Sequence, residues 1–145
     1  MDQFKLKKIV TALIFVNNKL LLQMRDENKK ISFPGKWGFI SGELKPGENP
    51  YNGVKREIKE ELSFNDFKKL KFSHTFINRK TENNLSFIFF LKLDYYPQIK
   101  LNEGMEYSYF SNIEVFRGFK FSKILKRNCY LAQKEIMKKK YFRVL

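Results

Sequence analysis

The chain has little cysteine or histidine and no long apolar run. A single cysteine, Cys129, in 145 residues excludes an internal disulfide framework and any cysteine-based zinc cluster. It falls on the apolar face of an expected helix, where core packing is its simplest role. Such cysteine usage is compatible with a reducing cytoplasm. The early apolar run at residues 9–16 is too short to cross a bilayer, so no membrane partner is expected. Lys5-Leu-Lys-Lys8 before that run has the outline of a signal peptide, but no small-residue cleavage site follows. Asn17-Asn18-Lys19 and Leu20-Leu21-Leu22 come next, which reads as a hairpin. Acidic residues are scarce: 15 Asp plus Glu stand against 29 Lys plus Arg, giving net charge +14. That balance concentrates polyanions such as nucleotides, nucleic acids or acidic membranes near the surface. The lysines are scattered, apart from Lys138-Lys139-Lys140. This fits a solvated surface better than the clustered stripe of a nucleic-acid groove. Repeats, low-complexity linkers and composition breaks are also missing. One domain over residues 1–145, with a sizeable core, is the economical reading.

The most informative segment is Gly42-Glu-Leu-Lys-Pro-Gly-Glu48-Asn-Pro-Tyr-Asn-Gly-Val-Lys-Arg56-Glu57-Ile58-Lys-Glu60-Glu61-Leu-Ser63-Phe64. A glycine-bearing turn runs into a helix, with Asn49 as N-cap and Pro50 at the first helical position, where its missing N–H costs nothing. Tyr51, Val54, Ile58 and Leu62 recur at threes and fours, forming one apolar stripe. Glu57, Glu60 and Glu61 lie within one turn of one another. Each like-charged pair at such spacing costs a helix about 0.2–0.5 kcal/mol. Their place in the C-terminal half sets them against the macrodipole as well. A hard divalent cation removes both penalties, and magnesium takes oxygen ligands from carboxylates and substrate phosphates. The competing interpretation is a solvated helix face laced with ion pairs. It gains little from the spacing, since Lys55 faces Lys59 and Lys59 faces Ser63; only Arg56 and Glu60 pair, in the weaker orientation.

This segment resembles the Nudix box: G, five residues, E, seven residues, then R-E-U-x-E-E-x-G-U, with U a bulky aliphatic residue. Gly42, Glu48, Arg56, Glu57, Ile58, Glu60 and Glu61 fall at the required spacings, and Phe64 supplies an apolar final position. Ser63 stands where the box has glycine. That position resembles a helix end in the left-handed region, where serine carries a modest steric cost. The flanks, from Leu20 to Asp26 and from Phe33 to Gly42, resemble the strand, loop and strand that precede the box in many Nudix hydrolases. The resemblance implies a Nudix-type α/β/α sandwich with a mixed sheet. It implies hydrolysis of a nucleoside diphosphate linked to another moiety, such as a nucleoside triphosphate or nucleotide sugar. Mg²⁺ is the implied cofactor, with Mn²⁺ as substitute, bound by Glu57, Glu60, Glu61 and the Gly42 carbonyl. Glu57, Glu60 or the loop acid Glu103 would take the proton of the attacking water. Arg56 would pair with Glu48 and orient the helix, and Arg25 would reach substrate phosphates. A pair of Arg25 with Asp26 or a box glutamate, and a merely solvated Glu103, are the alternatives. A homodimer would be common for the family.

Outside the box, residues 9–16 and 20–24 are expected as strands, Phe33-Pro34-Gly35-Lys36 as a turn, and residues 37–41 as one short strand. Leu70, Phe72, His74 and Phe76 alternate along a further strand. Leu85, Phe87, Phe89, Leu91 and Leu93 alternate along the next, where Ile88 and Phe90 add a second buried face. Thr81-Glu82-Asn83-Asn84 joins the two. Residues 105–110 form another strand, and residues 121–136 a C-terminal helix capped by Ser122. His74, the only histidine, sits on the side of Phe72 and Phe76 and reads as a hydrogen-bonded core or cleft-edge residue. Trp37 reads as packing. Two other functions stay open: removal of pyrophosphate from RNA 5′ ends, favoured by the positive charge, and non-catalytic nucleotide sensing. Retention of all the box carboxylates weighs against the second.

Overall fold

The computed structural model describes residues 6–24, 37–78, 83–102 and 106–111. The turn at 33–36, the expected C-terminal helix with Ser122 and Cys129, and the side chains of Arg25 and Glu103 lie outside these residues. The central strand is β1 (Lys7–Val16). It runs parallel to β6 (Asn84–Leu93), in register from Lys7↔Asn84 to Val16↔Leu93. Side chains alternate across a strand, and here both faces are apolar. Val10, Ala12, Ile14 and Val16 join one core cluster with Val54, Ile58 and Leu62, while Leu13 and Phe15 join another with Ile88 and Phe90.

The hairpin from β1 into β2 (Lys19–Met24) turns on Asn17 and Asn18, at φ 47° and 67°. Two left-handed residues are what a tight two-residue hairpin needs, and asparagine tolerates them. The segment expected as one strand at 37–41 is two. β3 (Trp37–Gly38) pairs with β2, and β4 (Ile40–Glu43) pairs with β1. The chain changes partner at Phe39, whose buried ring sits in the second cluster. β7 (Glu106–Phe110) adds antiparallel to β2, and the parallel β1–β6 pair among antiparallel neighbours makes the sheet mixed.

The strand containing His74 needs a correction. β5 (Leu70–Asn78) pairs antiparallel with β6, but the register slips between Phe72 and His74. Phe72 faces Phe89 and His74 faces Ile88, which belong to opposite faces of the sheet. One extra residue, Ser73, breaks the alternation that would have put His74 beside Phe72. The imidazole is half-buried and shares a hydrogen bond with Ser73 Oγ at 2.9 Å. Trp37 packs edge-on against Phe110, with ring centroids 4.8 Å apart.

The single helix of the described residues, α1 (Pro50–Leu62), lies on the face shared by β1 and β4. Asn49 Oδ1 accepts from Asn52 N at 2.8 Å, as an N-cap should. Val54, Ile58 and Leu62 are fully buried, each stabilising the fold by about 1.5–3 kcal/mol. Tyr51, at the edge of the stripe, stays 43% exposed and takes the Lys55 ammonium 4.5 Å from its ring centre. The fold thus fixes the two ends of the box: β4 delivers Gly42, and the sheet face holds α1 beside it.

Candidate active site

The loop between β4 and α1 is tightened by a turn at Lys45-Pro46-Gly47-Glu48. Glu48 N donates to Lys45 O at 3.0 Å, and Gly47 takes φ 76°. Proline then glycine with positive φ is the sequence such a turn asks for. The turn brings the Glu48 carboxylate back over the helix, where it also accepts from Lys45 N at 3.1 Å. Gly53 makes room for it, because a Cβ there would press on Leu44 and Glu48.

Arg56 is the hub. Its Nε donates to Glu48 Oε2 at 2.8 Å and its Nη2 to Glu48 Oε1 at 2.9 Å, a two-pronged ion pair. Nη2 also donates to Glu43 O at 3.1 Å. Nη1 donates to Glu57 Oε1 at 2.7 Å and to Glu60 Oε2 at 3.2 Å. Every N–H of the guanidinium is used. The Arg56 hydrogen bonds, then the Lys45 amide, hold the Glu48 carboxyl down at about 2. In return Glu48, and then Glu57, raise Arg56 above its ordinary value.

The carboxylates divide by environment. Glu57 and Glu61 are buried, at 8% and 3% exposure, whereas the Glu60 side chain is 46% exposed. Glu57 lies directly over Gly42, where any Cβ would occupy the place of its carboxylate. Glu61 turns toward the sheet, and its Oε1 accepts from Gln23 Nε2 at 3.0 Å. So Gly42, Glu48, Arg56, Glu57 and Glu60 form one connected group, with Glu61 on its inner side.

Among the described residues, no three His, Cys, Asp or Glu side chains converge as a ready-made cation site. The geometry gives a reason: the Arg56 Nη1 group stands between Glu57 and Glu60 as the local cation. The donor chemistry still suits a hard ion. The set is all oxygen, and the missing side chain at Gly42 opens the backbone to the Glu57 carboxylate.

Three participants were not apparent from the sequence. Gln23 had a signal, being the one polar residue within the apolar run that follows Lys19 in β2; an amide buried there needs a partner. Gly53 and Asn102, whose Nδ2 donates to Glu60 O at 3.0 Å, had none, since their neighbours come from distant or irregular segments.

The sequence profile of the NUDIX domain matches residues 5–129. The chain belongs to the Nudix family. The mixed sheet with its helix is the expected Nudix α/β/α architecture, and family membership makes the protein a hydrolase of nucleoside diphosphate-linked substrates. No curated protein matches it in sequence. Among solved structures it is similar to a MutT protein from Methanosarcina mazei Go1, with TM-score 0.73, 22% identity, and 92% of this chain and 96% of that one covered. The NUDIX domain of Shewanella oneidensis NrtR, solved with ADP ribose, gives TM-score 0.76 at 15% identity, covering 91% and 89%. An Ap4A hydrolase from C. elegans gives 0.66 at 16%, covering 88% and 99%. These likenesses concern the fold. No helix among the described residues is long and apolar enough to cross a membrane.

Proposed function

We propose that this Nudix chain cleaves a nucleoside triphosphate or a nucleotide sugar at a pyrophosphate bond, with Mg²⁺ or Mn²⁺ as cofactor. The observation that carries the reading is the Arg56-centred group, which gathers Glu57 and Glu60 against Gly42 with Glu61 behind them. Structural likeness to domains solved with ADP ribose, or described as acting on Ap4A, supports a nucleotide substrate.

Glu57, Glu60, Glu61 and the Gly42 carbonyl would hold the ion. Bound there, it supplies an acidified water and shields the phosphate oxygens. To hold an ion, Glu57 and Glu60 would have to release Arg56 Nη1. Glu48 and the Glu43 carbonyl keep the guanidinium in place meanwhile, so the loop and helix stay docked. Glu57, Glu60 or Glu103 accepts the proton of the attacking water. The water oxygen bonds to one phosphorus of the diphosphate and the bridging P–O bond breaks, leaving a nucleoside monophosphate and a phosphorylated second product. Arg25 is the residue proposed to bind the phosphates.

The test is a panel of nucleoside triphosphates, nucleotide sugars and dinucleotides with Mg²⁺, scored by phosphate release after phosphatase treatment. Glu61→Gln keeps the shape of the buried acid. It should lower turnover by at least about 100-fold, beyond the 10–100-fold typical of losing a ligand's outer partner, with the circular dichroism spectrum unchanged. Near-normal turnover by that variant removes the metal assignment. Triphosphorylated RNA oligomers belong in the panel, because the +14 charge favours them. A preference for them, weakening steeply with salt, would transfer the reading to RNA 5′ ends. Melting shifts without any product would make the chain a sensor.

A further inference from the structure

The last carbonyls of an α-helix have no partner inside it, and each needs one from elsewhere. In α1 every one is met. Lys59 O accepts from Ser63 N at 2.9 Å, and Leu62 O from Lys100 N at 3.1 Å. Glu61 O accepts from Asn102 N at 2.9 Å, and Glu60 O from Asn102 Nδ2 at 3.0 Å. One short segment, residues 100–102, therefore caps almost the whole last turn. Asn102 spends its second amide hydrogen on Ser63 Oγ, at 2.7 Å.

Ser63 is the one residue at which the chain departs from the box glycine. It takes φ 55° and ψ 34°, the left-handed conformation that disfavours a side chain. A glycine would sit there without strain. Serine adds a hydroxyl, and that hydroxyl is engaged by the asparagine that also grips the Glu60 and Glu61 carbonyls. The departure thus has a chemical counterpart elsewhere in the chain.

We propose that Ser63 and Asn102 work as a pair of positioning residues, locking the last turn of α1 to segment 100–102 and so fixing where Glu60 and Glu61 stand. As positioning residues they act through Glu60 and Glu61. The catalytic part of this proposal rests on the hydrolase reading above; the mechanical part does not.

The experiment compares Ser63→Ala, Ser63→Gly, Asn102→Ala and the Ser63→Ala/Asn102→Ala double variant by two readouts. The first is amide hydrogen exchange at residues 100 and 102 without nucleotide or metal. It should accelerate in all four, and unchanged exchange overturns the lock. The second is kinetics with the nucleotide that the wild type turns over best. Each single variant should lose about three- to tenfold in kcat, the worth of a modest hydrogen bond, while KM stays nearly constant. The double variant should be no slower than the worse single one, since both remove the same link. Ser63→Gly separates strain from hydroxyl: it should melt higher than Ser63→Ala yet be equally slow. Wild-type kcat in Ser63→Gly or Asn102→Ala, or losses that multiply in the double variant, overturns the positioning role. If the wild type turns over no member of the panel, the hydrolase reading and the catalytic part fall together, and the exchange comparison still decides whether the lock exists.

Discussion

The two ends of the carboxylate helix are held by different chemistry. At the glycine-loop end, Arg56 binds Glu48 with two prongs and reaches Glu43 O, so the restraint is ionic and local in sequence. At the far end, Asn102, Lys100 and Ser63 tie the last turn through neutral hydrogen bonds between segments far apart in the chain. The acids lie between. Charge suits the front, because a guanidinium gripped by both Glu48 oxygens and by Glu43 O can release Glu57 and Glu60 without leaving its place. Neutral bonds suit the back, because a further cation there would compete with the implied metal ion for Glu60 and Glu61.

The largest effect expected from breaking this contrast comes from Arg56→Lys. An ammonium cannot reproduce the fork that serves Glu43 O and both Glu48 oxygens at once, and Glu48 Oε1 would be left with the Lys45 amide. Stability should fall by about 1.5–3 kcal/mol, as charge-assisted bonds are lost at a largely shielded site. Urea unfolding of Arg56→Lys beside Asn102→Ala measures it. An equal or larger loss in Asn102→Ala would mean that the neutral end carries the helix.

Asn49→Ala sharpens the comparison with a smaller loss. It removes the neutral cap at the front while leaving Arg56 alone, at a cost of about 1 kcal/mol. Activity should follow stability and change no further. A separate fall in kcat would show that docking of the front depends on the cap and not only on the ion pair.

The same contrast governs what could be read in advance. The front is written within one continuous segment: Gly42, Glu48, Pro50 and Arg56 stand at fixed spacings, and turn, cap and ion pair follow from local rules. The helix stripe was equally legible, since Val54, Ile58 and Leu62 need only the helical period. What was missed depends on tertiary placement. The Gln23–Glu61 bond joins residues on different elements, and the Asn102 contacts cross about as much chain. No periodicity encodes them. The slip at Ser73 failed for another reason: a bulge adds one residue without changing composition, so the alternation of Leu70, Phe72, His74 and Phe76 looked intact. The switch at Phe39 is invisible because nothing in the short run 37–43 marks which neighbouring strand each half pairs with.

The smallest expected effect is also the most selective, because only the ionic end can titrate. Glu48 ordinarily titrates near 4.5 and is held at about 2 in the fold, chiefly by the Arg56 hydrogen bonds. A carboxyl whose folded pKa is depressed binds more protons when unfolded, so stability falls as the solution is acidified. Its contribution is complete above about 4.5 and disappears as the pH drops toward about 2. Asp66, lowered by the Tyr95 hydroxyl that donates to it at 2.6 Å, loses stability in acid too, so the wild type alone cannot isolate Glu48. The difference between wild type and Glu48→Gln can. Followed by thermal melting, that gap should be constant from neutral pH down to about 5 and then close. The gap between wild type and Asn102→Ala should stay flat over the same range, because carbonyls and a hydroxyl do not titrate there. A Glu48→Gln gap that stays open in strong acid would mean that shape, and not charge, holds the front of the helix. The division between its two ends would then fail.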